Sequence, residues 1–213
     1  MCFRQNAYRR DLLGLKKIFI KKIQVMKLDK FDCSTGILNI LYNDPIKNIS
    51  VRNSTKKDIL LIDKLQKENA FAVGFIQQTI WDKYVFGGER NFVVLICEAN
   101  NDAVGYVLIT PGRGGLSYGK IQQIAVRNDA RRLYYGTALL DVCRQFCEKF
   151  NRRGFTLRCR TDLDSNLFWK SLGFEKYGVW EKGKINHVGF KATNDINLWK
   201  IELNKNILTL FNC

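Results

Sequence analysis

The chain has 213 residues, 46% of them hydrophobic and 12% aromatic, with only two prolines. That size and apolar content suit one domain, or one domain with an appendage, and argue against wholesale disorder. Thirty-five Lys and Arg against 20 Asp and Glu give a formal net charge of +15, which favours anionic partners such as nucleic acid, a membrane surface or a polyphosphate ligand.

Residues 1–47 differ from the rest. Residues 1–30 hold nine Lys/Arg against two Asp, a net +7, which leaves +8 for the other 183 residues. The stretch RRDLLGLKKIFIKKIQVMKLDK has irregular apolar spacing, and Asn43-Asp44-Pro45 reads as a turn. We read 1–47 as a basic N-terminal extension and 48–213 as the folded domain. No apolar run reaches the ~20 residues of a membrane helix, so no span is expected.

From residue 48 the pattern becomes regular. NISVRN predicts a short strand. STKKDILLIDKLQKENA predicts a helix capped by Ser54 or Thr55, with Ile59, Ile62 and Leu65 on one face. AVGFIQQTIWDKYV predicts a second, shorter helix and FGGERN a loop. NFVVLICEA and AVGYVLIT, joined at ANND, predict an antiparallel hairpin. After PGRGG comes a long strand, LSYGKIQQIAV, then a polar turn and a helix to about Asn151. GFTLRCRT is a strand. DSNLFWKSL is a short helix capped by Asp164 or Ser165 and closed by Gly173. FEKYGVWEK and INLWKIEL are strands separated by the loop 181–195. The order β-α-α-β-β-β-α-β-α-β-β predicts an α+β, mixed-sheet fold with helices on both faces.

Seven cysteines, at 2, 33, 97, 143, 147, 159 and 213, are odd in number, and several lie in apolar runs. They read as reduced thiols in a reducing compartment, which implies a cytoplasmic protein. Cys143 and Cys147 share a helix face, but the single histidine, His187, is far away in sequence, so no metal site is expected.

The segment VRNDARRLYYGTALL, residues 126–140, carries the chemistry. A strand running into a helix exposes the first N–H groups of that helix, which bind phosphate oxygens together with the macrodipole. Arg131 and Arg132 add guanidinium groups, Gly136 allows close approach, and Thr137 offers a hydroxyl. The segment has no GK[ST] and lacks dinucleotide-binding glycines, so the inference is a polyphosphate or pyrophosphate ligand, with a solvated turn as the alternative.

The next segment, TLRCRTDLDSNLFWKSLGFEKYGVW, completes a pattern. IQQIAV, then Arg131-x-x-Tyr134-x-Gly136, then Asp162-x-x-Ser165-x-x-Phe168-Trp169-x-x-x-Gly173-Phe174, resembles the GNAT (GCN5-related) N-acetyltransferase superfamily over about residues 48–203. The resemblance implies acetyl-CoA as cofactor. Its pyrophosphate would lie on the turn formed by Arg131, Arg132, Leu133, Tyr134, Tyr135, Gly136 and Thr137. The pantetheine arm would run along Ile124, Ala125 and Val126, in the gap where this strand splays from TLRCRT. Asp162 and Phe168 would border the cofactor. The family's first turn glycine is Tyr134 here, and Trp169 stands where many relatives have a tyrosine that protonates the leaving thiolate.

The resemblance implies direct attack of an amine on acetyl-CoA. Tyr177, Gln123 and Glu98 are the catalytic candidates, and Trp81, Tyr84, Phe86 and Trp180 could wall an acceptor pocket. Glu89 could hold a cationic amine, and His187 lies in a loop bordering it. An acyl-CoA and an amine-bearing acceptor are the expected partners, and the basic charge suits an anionic macromolecule or ribonucleoprotein. Either a monomer or a homodimer is compatible with the sequence. Two other readings stay open: a degenerate acyl-CoA-fold protein that binds without turnover, and a basic nucleic-acid-binding protein.

Overall fold

The computed structural model describes residues 49–82, 92–112, 118–186, 189 and 191–203, and the backbone of 42–44. Most of the extension 1–47, with Tyr84, Phe86, Glu89 and His187, lies outside the described residues.

Eight strands form one sheet in the order β1-β2-β3-β4-β5-β6-β8-β7. They are β1 Tyr42–Asp44, β2 Ile49–Asn53, β3 Val93–Ala99, β4 Asp102–Thr110, β5 Tyr118–Val126, β6 Gly154–Arg160, β7 Glu175–Trp180 and β8 Ile196–Glu202. Every neighbouring pair is antiparallel except β5 and β6, which are parallel. The strand β1, within the stretch read from sequence as a turn, pairs with β2 through Tyr42↔Val51 and Asp44↔Ile49.

The helices cover the two faces unequally. Helix α4, Tyr135–Lys149, buries Leu139, Val142, Cys143, Phe146 and Cys147 on one face, against Val51, Leu95, Val107, Phe155 and Leu157. On the other face, α1 (Ile59–Glu68) places Ile62 and Leu65 against Ile96, Tyr106 and Leu108. Here AVGFIQQTIWDKYV departs from the single helix expected. Its described part, to Asp82, holds the end of α2 (Ala70–Val73) and α3 (Gln78–Ile80), interrupted at Gly74, whose φ is +74°. Tertiary bonds secure the break, since Gln66 Oε1 accepts from the Ile76 N–H at 2.9 Å. Trp81 Nε1 donates to Ile76 O at 3.2 Å. Trp81 is thereby buried in the core edge-on to Tyr106, and it lines a small pocket with Ile62, Gln66 and Gln78.

Helix α5, Ser165–Ser171, ends as its sequence predicts. Gly173 takes φ +82°, its N–H bonds to Lys170 O, and the Phe174 N–H reaches back to Trp169 O. The Trp169 and Phe174 rings meet at 5.2 Å, the apolar contact that accompanies this cap.

Before α1, Asp58 Oδ2 accepts from both the N–H and the hydroxyl of Thr55, while Arg52 donates to both carboxylate oxygens at 2.8 Å. Burial alone would raise the Asp58 pKa, but hydrogen bonds from Arg52 and Thr55 outweigh it and hold the carboxyl below its ordinary 3.8. A depressed folded-state pKa contributes stability that is present above the unfolded value and lost as pH falls through the folded one. Asp58→Asn is therefore expected to destabilise the chain at neutral pH. The gap to wild type should shrink once the pH drops below 3.8, measured by urea unfolding across a pH series.

Candidate active site

The site begins where two strands part. β5 and β6 pair only through Tyr118↔Gly154, Gly119↔Phe155 and Lys120↔Thr156. From there the strands follow different partners. β6 stays in register with β8 along its whole length, from Gly154↔Glu202 to Arg160↔Ile196. β5 follows β4, but Leu108 faces Gln123 while Ile109 faces Ile121, so Gln122 is an extra residue and forms a bulge. A bulge bends its strand and raises the local twist. The result is a wedge between Ile121–Val126 of β5 and Leu157–Arg160 of β6. Backbone groups of β5 that a neighbouring strand would take face into it. Ile124 and Val126 pack partly on the α4-side core, while Ala125 is buried on the α1–α2 side.

At the open end of the wedge, β5 runs into the turn and α4. Arg127 is anchored by Asp102 and Asp129. Arg132 and Tyr134 then take left-handed φ values of +63° and +67°, and Tyr134 is the N-cap residue with no side-chain cap bond. The first-turn N–H groups, those of Tyr135, Gly136 and Thr137, thus have no intrahelical acceptor. A β-carbon on Gly136 would lie 3.3 Å from the Phe168 ring, so α5 packs directly on the start of α4. The Arg131 guanidinium is held at this end by Asn69 Oδ1 and by Val126 O, with no carboxylate salt bridge among the described residues. Arg132 and Leu133 are exposed. The turn gathers uncapped N–H donors beside the Arg131 and Arg132 guanidiniums, the chemistry that suits an anion.

The left-handed backbone at Tyr134 explains why the family pattern has glycine there: only glycine adopts it without steric cost. Tyr134→Gly should therefore not destabilise the fold, whereas Tyr134→Val, β-branched in a left-handed position, should be less stable than wild type in urea unfolding.

The remaining expected residues scatter. Gln123 is buried, with Oε1 accepting from the Tyr106 hydroxyl at 3.0 Å and Nε2 donating to Val73 O and Gly74 O. Its side chain thus ties β5 to Tyr106 of β4 and to the C-terminal end of α2. Glu98 is not brought to the wedge. Its carboxylate accepts from Arg52 and Ser50 on β2, with β4 between it and β5. Tyr177 is 52% exposed on β7, and β8 separates it from the wedge. Asp162 is exposed and spends both oxygens on Arg160. Trp180 donates Nε1 to Lys184 O and lies beneath the Arg158 guanidinium. Trp169 is 5% exposed among Phe168 and Phe174, and an indole cannot act as a proton donor to a thiolate. Cys159 lies against Ser165 Oγ at 3.2 Å, and burial raises its pKa.

Several residues at the wedge carry no local sequence signal. The Arg160 guanidinium stacks 3.5 Å from the Phe71 ring centre and donates to Phe71 O, bridging β6 to α2. Asn166 Nδ2 holds the carbonyls of Arg160 and Leu163, while its Oδ1 accepts from Asn197 and Trp199. Alternation along TLRCRT could have placed Arg158 and Arg160 on one face. Nothing in that pattern points to Phe71, 89 positions away from Arg160.

The sequence matches the Acetyltransferase (GNAT) family over residues 59–174, more than half of the chain. No curated protein matches it. Among solved structures it is similar to Ard1 from Thermoplasma volcanium, with 20% identity and TM-score 0.57, covering 72% of this chain and 97% of that one. It is also similar to the ribosomal-protein-S18-alanine N-acetyltransferase from Escherichia coli, with 16% identity and TM-score 0.54 over 73% and 94%. A third is Arabidopsis thaliana Naa50 in complex with the bisubstrate analogue CoA-Ac-MVNAL, with 17% identity and TM-score 0.55 over 73% and 99%. These likenesses establish the fold. With its splayed parallel strands and uncapped basic turn, this chain belongs to the GNAT acetyltransferase family and is an acyl-CoA-dependent enzyme with acetyl-CoA as its cofactor.

Proposed function

We propose that this protein is an N-acetyltransferase that moves the acetyl group of acetyl-CoA to a primary amine by direct attack. The observation that carries the reading is the alignment of the wedge with the uncapped turn of α4. Acetyl-CoA supplies an acyl group already activated as a thioester. The first-turn N–H groups of α4, with Arg131 and Arg132, hold its pyrophosphate, and the wedge-facing backbone of Ile124–Val126 pairs with its pantetheine arm. A backbone N–H of this strand, near Val126, polarises the thioester carbonyl.

Gln123 does not take a proton. It fixes β5 against the C-terminal end of α2, so the acceptor side of the wedge is positioned by Tyr106 and Gln123. With Trp169 in the tyrosine position, no side chain there protonates the departing thiolate. General acid help is typically worth ~10²–10⁴-fold, and positioning of a neutral amine supplies the rate in its place. Four described cysteines, at 97, 143, 147 and 159, are free and buried, which suits the reducing cytoplasm.

The test is to incubate the protein with acetyl-CoA and a peptide bearing a free amine, following thiol release and peptide mass together. Amine-dependent thiol release with an acetylated product supports the proposal. Coenzyme A binding without transfer to any amine would favour a degenerate binding protein.

A further inference from the structure

The sheet face that carries α1 and α2 packs its apolar cluster on β3, β4 and β5, among the described residues. Among the described helices, α2 reaches β6 on this face through Phe71, which stacks on Arg160. Strand alternation and register put Lys120 of β5, Thr156, Arg158 and Arg160 of β6, and Lys200 of β8 on this face. Lys120 is the last residue of β5 paired with β6, so it stands at the apex of the wedge. The carboxylates that share the face are already engaged. Glu202 accepts from the Tyr118 hydroxyl at 2.8 Å and lies 4.0 Å from Lys200, across from which Glu175 stands. Asp162 holds Arg160. Among the described residues neither Lys120 nor Arg158 has a carboxylate in a salt bridge. Burial, and then the Arg158 charge, lower the Lys120 pKa to about 8.

We propose that this floor recognises the acceptor. It selects amine-bearing polypeptides with acidic side chains close to the reacting amine, and Lys120 and Arg158 bind their carboxylates. The inference rests on the acetyl-transfer reading and names its substrate class. A peptide fits better than a nucleic acid for a specific reason. Single-strand binding uses open aromatic faces on which bases stack, whereas the Trp180 ring here is covered by the Arg158 guanidinium at 4.8 Å and its Nε1 is bonded to Lys184 O. Carboxylates need only the two cations, which lie next to the wedge where transfer occurs.

The test titrates the full chain, in the presence of coenzyme A, with fluorescent peptides that have a free N-terminal amine followed by a run of Glu, Ser or Lys. We expect the Glu peptide to bind at least about ten-fold more tightly than the Ser peptide at low salt, a difference that shrinks with added salt. The paired substitutions Lys120→Met and Arg158→Gln should erase that preference, while urea unfolding reports that the variant is folded. Equal binding of Glu and Ser peptides, or a preference that survives both substitutions, overturns the proposal. So does an RNA oligonucleotide that binds more tightly than the Glu peptide and is lost in the same variant. Because binding is read without turnover, Glu-selective binding without acetylation would leave the surface assignment standing and remove the acetyl-transfer reading. Acetylation without Glu selectivity would do the reverse.

Discussion

Gly136→Asp is expected to abolish measurable coenzyme A binding while the protein remains folded. Gly136 lies in the first turn of α4, in the helical region of backbone space. Replacing glycine there removes an entropic cost of about 0.5–1 kcal/mol, and a carboxylate near a helix N-terminus adds about 0.3–1 kcal/mol. Against this, the new β-carbon meets the Phe168 ring at 3.3 Å, so that ring must yield by a few tenths of an ångström. The three effects nearly cancel for folding. They do not cancel for the ligand. The aspartate accepts the donors a phosphate would use and sets a like charge against it. Losing two charge-assisted hydrogen bonds, each worth about 1.5–3 kcal/mol, lowers affinity by about 10²–10⁴-fold. Calorimetric titration with coenzyme A reads the loss and urea unfolding reads the retained fold. Unaltered affinity would mean that the phosphates bind elsewhere.

Gly154→Ala is expected to be the most damaging methyl group added at any described glycine. The added β-carbon would sit 1.8 Å from the carbonyl oxygen of Ile201, a backbone atom that cannot rotate away. Relief by sliding the strand is blocked on both sides, because Phe155 and Leu157 are buried in the core and β6 is in register with β8 over seven residue pairs. Overpacking typically costs 1–3 kcal/mol, and a backbone collision belongs at or above that range, about 3 kcal/mol or more. Gly119→Ala is the control. Its β-carbon meets the Cys147 sulfur at 2.7 Å, a side-chain atom that can shift, so the loss should be smaller. Urea unfolding of both variants gives the comparison. Gly154 also forms the closed end of the wedge, opposite Tyr118, so any Gly154→Ala protein that folds should bind coenzyme A less well.

Much of this architecture could be read locally. The seven strands expected from residue 48 onward appear within two residues of the expected ends, because alternation and flanking turn residues act over a few positions. The α5 cap at Gly173 and the uncapped turn before α4 were visible for the same reason. The break at Gly74 was not, since it is stabilised by Gln66 and by the Trp81 indole, contacts that a helical period cannot reveal. The site was legible where it consists of backbone, in the wedge and the turn, and poorly legible where it depends on side chains meeting across the sheet. Glu98 looked available on its strand, but its partner Arg52 is 46 residues earlier. Gln123 looked like a catalytic amide, but its partners are Tyr106 and the C-terminal end of α2. The bulge at Gln122 depends on register with β4, which no single strand's sequence records.

The central claim is that one continuous path, from the Ile121–Val126 strand into the turn of α4, holds acetyl-CoA. Amide hydrogen exchange of the intact protein, with and without saturating coenzyme A, tests it most directly. The account predicts added protection in two peptides, one spanning 121–126 and one spanning 131–138, with the far strands β2 and β3 unchanged. Saturable binding that leaves both peptides unprotected, or protects only β8 and β7, would contradict it.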